Sequence, residues 1–182
     1  GRALDPDNPA KYMNSPETPL FHKRRSLYAL DLARESISRE RLALIVEGYT
    51  DVISLHQAGI RNVVAGLGTA LSREQLDLLG RYAEEVVLVY DADAAGMRAA
   101  SRNIEVFEGA AVAVSLIVLP EGQDPDEFVR THGPEQFREL LDSRISPIEY
   151  QLQLIFDDPA YRGPEGAARA AQAAVEVLLK IP

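Results

Sequence analysis

The chain has 182 residues, 46% of them hydrophobic and 26% charged, with no cysteine and a formal net charge of −9. That is ordinary for a soluble globular chain with one sizeable core; it leaves no disulfide, thiolate metal site or cysteine nucleophile, no apolar run nears the ~20 residues of a membrane span, and no signal peptide is expected. A cytoplasmic protein is expected. The acidic total weighs against nucleic acid as a partner, but the charge is uneven: residues 1–34 carry six Lys/Arg against four Asp/Glu, residues 35–130 eight against sixteen, and residues 131–182 five against eight.

In chain order, the opening segment is punctuated by Pro6, Pro9, Pro16 and Pro19, which favour turns and extended backbone. It starts at Gly1 without an initiator methionine, so a fragment of a longer protein is expected. The spacing of Leu27, Leu30, Ala33 and Ile37 predicts a helix over 26–37. Strand 42–47 follows, then a helix through Val52–Ala58 stopped by Gly59. Strand 62–65 leads into Gly66-Leu67-Gly68-Thr69, and Ser72 caps a helix whose stripe is Leu76, Leu79 and Tyr82. Strand 86–90, helix 94–107 and strand 111–119 complete the alternation. Four strands alternating with helices predict an α/β fold with a mostly parallel sheet. Beyond Pro120 the pattern turns helical. Asp124-Pro125 suits a helix start, and further helices are predicted at 134–142, 147–157 and 164–180.

Carboxylates stand where the apolar runs end. Glu47 closes Leu42–Val46, and Asp91 and Asp93 close Val86–Tyr90. Such sheets bind ligands outside the carboxyl ends of their strands, and convergent carboxylates suit a hard divalent cation. A carboxylate ending a buried strand is costly unless paired or metal-bound, and Glu47 has no basic neighbour in sequence. Each acid also has a plainer explanation. Asp51, Asp93 and Asp124 are all placed to cap helices. Three acidic clusters after three strands are nevertheless hard to attribute to capping alone. His22, His56 and His132 are scattered without zinc-like spacing. The Gly66–Thr69 loop could offer backbone N–H groups to a phosphate but lacks a P-loop lysine. Lys11, Lys23, Arg24 and Arg25 could form a phosphate-contacting edge or simply a solvated surface.

Glu47-Gly48-Tyr49-Thr50-Asp51 with Asp91-Ala92-Asp93-Ala94-Ala95-Gly96 resembles the Toprim signature, the metal-binding core shared by primases, topoisomerases and some nucleases. The flanks narrow the resemblance. Lys11-Tyr12-Met13-Asn14-Ser15-Pro16-Glu17-Thr18-Pro19-Leu20-Phe21-His22-Lys23 and Leu27-Tyr28-Ala29-Leu30 closely resemble the segment preceding Toprim in bacterial DnaG-type primases. Gly122-Gln123-Asp124-Pro125-Asp126-Glu127-Phe128 resembles the acidic motif after it.

The resemblance implies a Toprim-like sheet flanked by helices, in three parts. Residues 1–36 would be the end of a basic N-terminal subdomain and a linking helix, 37–130 the metal-binding core, and 131–182 a C-terminal helical subdomain, cut short. It implies nucleotidyl transfer: RNA primers made from ribonucleoside triphosphates on single-stranded DNA during replication. Glu47, Asp91 and Asp93 would be the central, catalytic ligands of Mg²⁺ or Mn²⁺, with Asp51, Asp124 and Asp126 completing the acidic site. Arg2, Lys11, Tyr12, Asn14 and Lys23 would line the nucleotide and template side. Zinc and the replicative helicase belong to family domains without counterpart in these residues, and no membrane partner is expected. Alternatives within the resemblance are a Toprim nuclease and a non-catalytic Toprim recombination mediator; a topoisomerase fits less well.

Overall fold

The computed structural model describes residues 15–68, 71–90, 107, 109–120 and 122–179. Four strands, β1 (Leu42–Val46), β2 (Val63–Ala65), β3 (Glu85–Tyr90) and β4 (Ala113–Val118), form one sheet in the order β2-β1-β3-β4. Every pairing among them is parallel, with Leu44 opposite Val63 and Val87, and Leu88 opposite Leu116. Parallel strands need crossover connections, and helices supply them from β1 to β2 and from β2 to β3. The parallel α/β sheet expected from the alternation of elements is therefore present.

Alternate strand residues feed two cores, as a sheet buried on both faces requires. On one face Ala43, Ile45, Val86, Leu88 and Leu116 pack against α1 (Leu30–Glu40), α3 (Arg73–Leu79) and Tyr150 of α5 (Pro147–Asp157). On the other, Leu44, Val46, Val87, Val89 and Ile117 pack against α2 (Tyr49–Gln57) and α4 (Pro125–Leu141), whose Phe137 is fully buried. Each fully buried side chain of this size stabilises the fold by roughly 1.5–3 kcal/mol. A last helix, α6 (Gly163–Leu178), packs on α5.

Both sheet edges are closed by one-residue antiparallel bridges. Tyr28 pairs with Ala65 at the β2 edge, and Ile145 with Leu116 of β4. Such cover removes open strand edges. The Tyr28 bridge also corrects the first predicted helix, which starts at Leu30 and not at Ser26: residues 26–28 are extended along the sheet, and Ala29 turns the chain in the left-handed region (φ 63°, ψ 14°). The predicted helix starts at Asp124 and near 134 merge into α4 with a break at Gly133 (φ 85°, ψ 167°), a conformation suited to glycine. Predicted helix 94–107 falls almost wholly outside the described residues. No helix among the described residues is long and apolar enough to cross a membrane.

Candidate active site

The carboxyl ends of neighbouring parallel strands β1 and β3 bring the end of Val46 and the end of Tyr90 to one edge of the sheet. Glu47 follows Val46 as a bend, and Gly48 caps α2 with extended backbone (φ −108°, ψ 154°). Asp51 is the third residue of that helix. Its carboxylate accepts the Gly48 N–H at 2.9 Å, satisfying a donor that a helix start would otherwise leave open. A β-carbon on Gly48 would stand 2.7 Å from Asp51 Oδ2, so only glycine admits this close approach.

Desolvation falls on a different residue from the one expected. Glu47 lies one residue past the sheet and is exposed, so the cost of burial at a strand end does not apply to it. Asp51 is the buried carboxylate, only 5% exposed. Burial pushes its pKa above the usual carboxylate range. The Gly48 N–H opposes that shift, the negative charge of Asp124 adds to it, and the Asp126 backbone N–H and carboxylate act in opposite senses.

Those neighbours come from α4, more than seventy residues on. Asp124 caps α4 as the sequence predicts, accepting the Glu127 N–H at 2.8 Å. Asp126 is held on both oxygens: the Ser54 hydroxyl of α2 donates to one, and Arg130 lies 3.3 Å from the other. The packing of α2 on α4 thus brings Asp51, Asp124 and Asp126 together at the same end as Glu47. Sequence reading missed Ser54 and Arg130; the i,i+4 spacing of Asp126 and Arg130 was the available signal.

The other expected positions are placed unevenly. Lys23 lies in a short 3₁₀ turn, Lys23–Arg25, and among the described residues no ion pair joins it to the acidic group. Arg2, Lys11, Tyr12, Asn14, Asp91 and Asp93 lie outside the described residues. The histidines have local roles: His56 Nε2 is 2.9 Å from the Val63 carbonyl, His22 is 3.3 Å from Glu17, and the His132 ring packs on Phe128. Among the described residues no three His, Cys, Asp or Glu side chains form a group able to hold a metal ion. The donor chemistry nonetheless suits a hard cation: the acids present oxygen only, and buried Asp51 has no salt-bridge partner among the described residues.

A Toprim-like family model matches residues 44–129, and the model for the N-terminal domain of the DNA primase catalytic core matches residues 1–34. Clostridium acetobutylicum DNA primase is 43% identical over 178 residues, covering 98% of this chain and 30% of that protein. The chain belongs to the DnaG-type primase family. Among solved structures, a DNA primase domain from Pseudomonas aeruginosa is 41% identical with a TM-score of 0.83, covering all of this chain and 58% of that one. A DnaG primase catalytic domain bound to single-stranded DNA is 35% identical with a TM-score of 0.79, again over the whole chain and 59% of the other. The 182 residues thus span under a third of the length of that Clostridium primase and somewhat more than half of the solved chains. Membership places the two-faced parallel sheet in the Toprim fold and the acidic edge within the matched segment.

Proposed function

We propose that this chain is part of the catalytic core of a primase, a DNA-directed RNA polymerase that joins ribonucleotides into short primers on single-stranded DNA. The observation that carries this reading is the meeting of Asp51 with Asp124 and Asp126 at the carboxyl edge of the sheet, beside Glu47. Relatives named DNA primase, and a similar solved domain with single-stranded DNA bound, support polymerisation over cleavage or scaffolding. The proposed domains are residues 1–36, 37–130 and 131–182, with the helical last part resting on the edge of β4 through Ile145.

In this reading Glu47, Asp91 and Asp93 are the central ligands of a divalent ion, Mg²⁺ or Mn²⁺, and Asp51, Asp124 and Asp126 complete the acidic site. A bound ion of this kind supplies charge neutralisation to the attacking 3′-hydroxyl and the departing pyrophosphate. The protein's part is positioning. The Gly48 N–H and the Asp126 backbone fix Asp51, while Ser54 and Arg130 fix the Asp126 carboxylate. Holding carboxylates before the substrate arrives removes reorganisation from the reaction. Arg2, Lys11, Tyr12, Asn14 and Lys23 are assigned to the nucleotide and template side, where fixed positive charge meets phosphate. In this reading zinc and the replicative helicase act through parts of the family outside these residues, and the protein works in the cytoplasm.

Asp91→Ala in the full-length protein is the deciding experiment. Primer synthesis on single-stranded DNA should be abolished while the circular dichroism and melting curve stay near the parent's. Normal primer yield would sink the assignment, and Mg²⁺-dependent cleavage of labelled DNA by the parent would favour the nuclease alternative.

A further inference from the structure

Tyr49 opens α2 directly after Glu47-Gly48, and its ring stacks on that of Tyr28 with centroids 4.4 Å apart and planes at 20°. The two rings are held very differently. Tyr28 is locked to the sheet: its N–H donates to the Ala65 carbonyl at 2.8 Å, and the Ala65 N–H donates back at 3.3 Å. The left-handed turn at Ala29 then leads straight into α1, so the chain on both sides of Tyr28 is fixed. Tyr49 nevertheless keeps 39% of its surface exposed. A stacked pair built only for the core would bury both rings. In this pair the main chain of half-buried Tyr28 is anchored to the sheet, and Tyr49 stays open to solvent.

We propose that Tyr49, backed by Tyr28, is a stacking platform for a nucleobase. The proposal rests on the nucleotide-polymerising function above and adds a contact for the base, where that function assigns contacts only to phosphates and ions. Its location fits. Ala65 ends β2 and Tyr49 follows β1, so the stack stands at the carboxyl edge of the sheet, where such folds bind ligands. The segment that carries Tyr28 also carries Lys23, Arg24 and Arg25, the charge complement of a phosphate backbone. A ring already fixed by its neighbour loses little entropy when a base stacks on it, and every base offers a π-face, so the contact is sequence-tolerant. The base belongs either to the incoming nucleotide or to the template strand; both present the same flat face.

The chain contains no tryptophan, so Tyr49→Trp introduces a single fluorescent reporter on the platform. In Mg²⁺ buffer it is titrated with a 12-nucleotide oligothymidylate, an abasic oligomer of equal length, GTP and tripolyphosphate. Quenching by a base-bearing ligand and not by its base-free counterpart is expected. Quenching by oligothymidylate alone assigns the template base, and quenching by GTP alone the incoming nucleotide. In parallel, Tyr49→Leu should weaken binding of the quenching ligand about tenfold, the cost of one lost base stack, and leave base-free ligands unaffected. Tyr49→Phe should bind as the parent does. Equal quenching by base-bearing and base-free ligands, or parental affinity in Tyr49→Leu, would overturn the platform. Asp91→Ala separates the two levels: if it abolishes Mg²⁺-dependent tripolyphosphate binding while Tyr49→Leu changes nothing, the platform alone fails. If the full-length protein with Asp91→Ala still makes primer normally, the polymerase function fails and takes the platform with it.

Discussion

The side-chain amide of Gln75, fully buried at the start of α3, donates to the main-chain carbonyl of Ser26 at 2.9 Å, across 49 positions of sequence. The same amide donates to the Lys23 carbonyl at 3.1 Å, and its oxygen accepts the Ser72 N–H at 3.0 Å. Ser72 joins in, its hydroxyl donating to the Arg24 carbonyl at 2.5 Å. One capping pair on α3 therefore clamps the backbone that carries Lys23, Arg24 and Arg25 and leads into the Tyr28 bridge.

Gln75→Leu keeps the side-chain volume and removes the three bonds of the Gln75 amide, leaving that of the Ser72 hydroxyl. Two carbonyls and a cap donor would lose their partner beside the buried Gln75 and Ser72 side chains, at a cost of about 2–4 kcal/mol. Thermal unfolding should show that loss, and limited proteolysis should cut within 15–28 faster than in the parent. Melting and cleavage patterns like the parent's would show that the clamp is dispensable.

Asp51 makes a pH prediction. Its folded pKa is raised, chiefly by burial. A raised group contributes stability that is complete below its unfolded pKa and is lost as pH rises through the folded value. At neutral pH, ionised Asp51 therefore costs stability. Asp51→Asn retains an oxygen for the Gly48 N–H and should melt higher than the parent at pH 7 in EDTA, by about 0.5–1 kcal/mol. The gap should close as pH falls to about 4, near the ordinary aspartate pKa. Adding Mg²⁺ should stabilise the parent more than the variant. A variant less stable than the parent at pH 7 in EDTA would contradict the sign.

Glu85 and Arg144 predict the opposite pH response. Arg144 pairs bidentately with Glu85 at 2.8 and 3.1 Å, and the Ser115 hydroxyl donates to the same carboxylate at 2.6 Å. The Arg144 bond first, then Ser115, hold the Glu85 pKa below the usual range against partial burial. A lowered group contributes stability above its unfolded pKa, lost as pH falls through the folded value. Glu85→Gln should cost about 1 kcal/mol at pH 7, discounted because both groups are partly exposed. That cost should fade as pH drops below about 4, the ordinary glutamate range. Paired melts at pH 7 and pH 3.5 would measure it; a constant gap would show that the pair's charge is irrelevant.

Gly48→Ala tests the packing around Asp51. The new β-carbon would meet Oδ2 at 2.7 Å and displace the carboxylate from its cap. Since the backbone there is ordinary extended chain, the fold should survive with a loss of about 1–2 kcal/mol. Mg²⁺ affinity by calorimetry, and primer synthesis in the full-length protein, should fall at least tenfold. Unchanged affinity would separate Asp51 from the ion.

Much of this protein is written locally. Apolar runs mark β1 to β4, and Ser72 and Asp124 cap the helices expected of them. These signals depend on residues within a few positions of one another, so a linear reading recovers them, and motif spacing then identifies the family. Tertiary structure decided the rest. It made Asp51 the buried acid and left Glu47 exposed, because the strand stops at Val46 and α4 packs over the start of α2. It supplied Ser54 and Arg130 to Asp126, Gln75 to the backbone of residues 23–26, and Tyr28 to Tyr49. Burial and long-range pairing depend on which distant segments the sheet order makes neighbours, and no local pattern encodes that order.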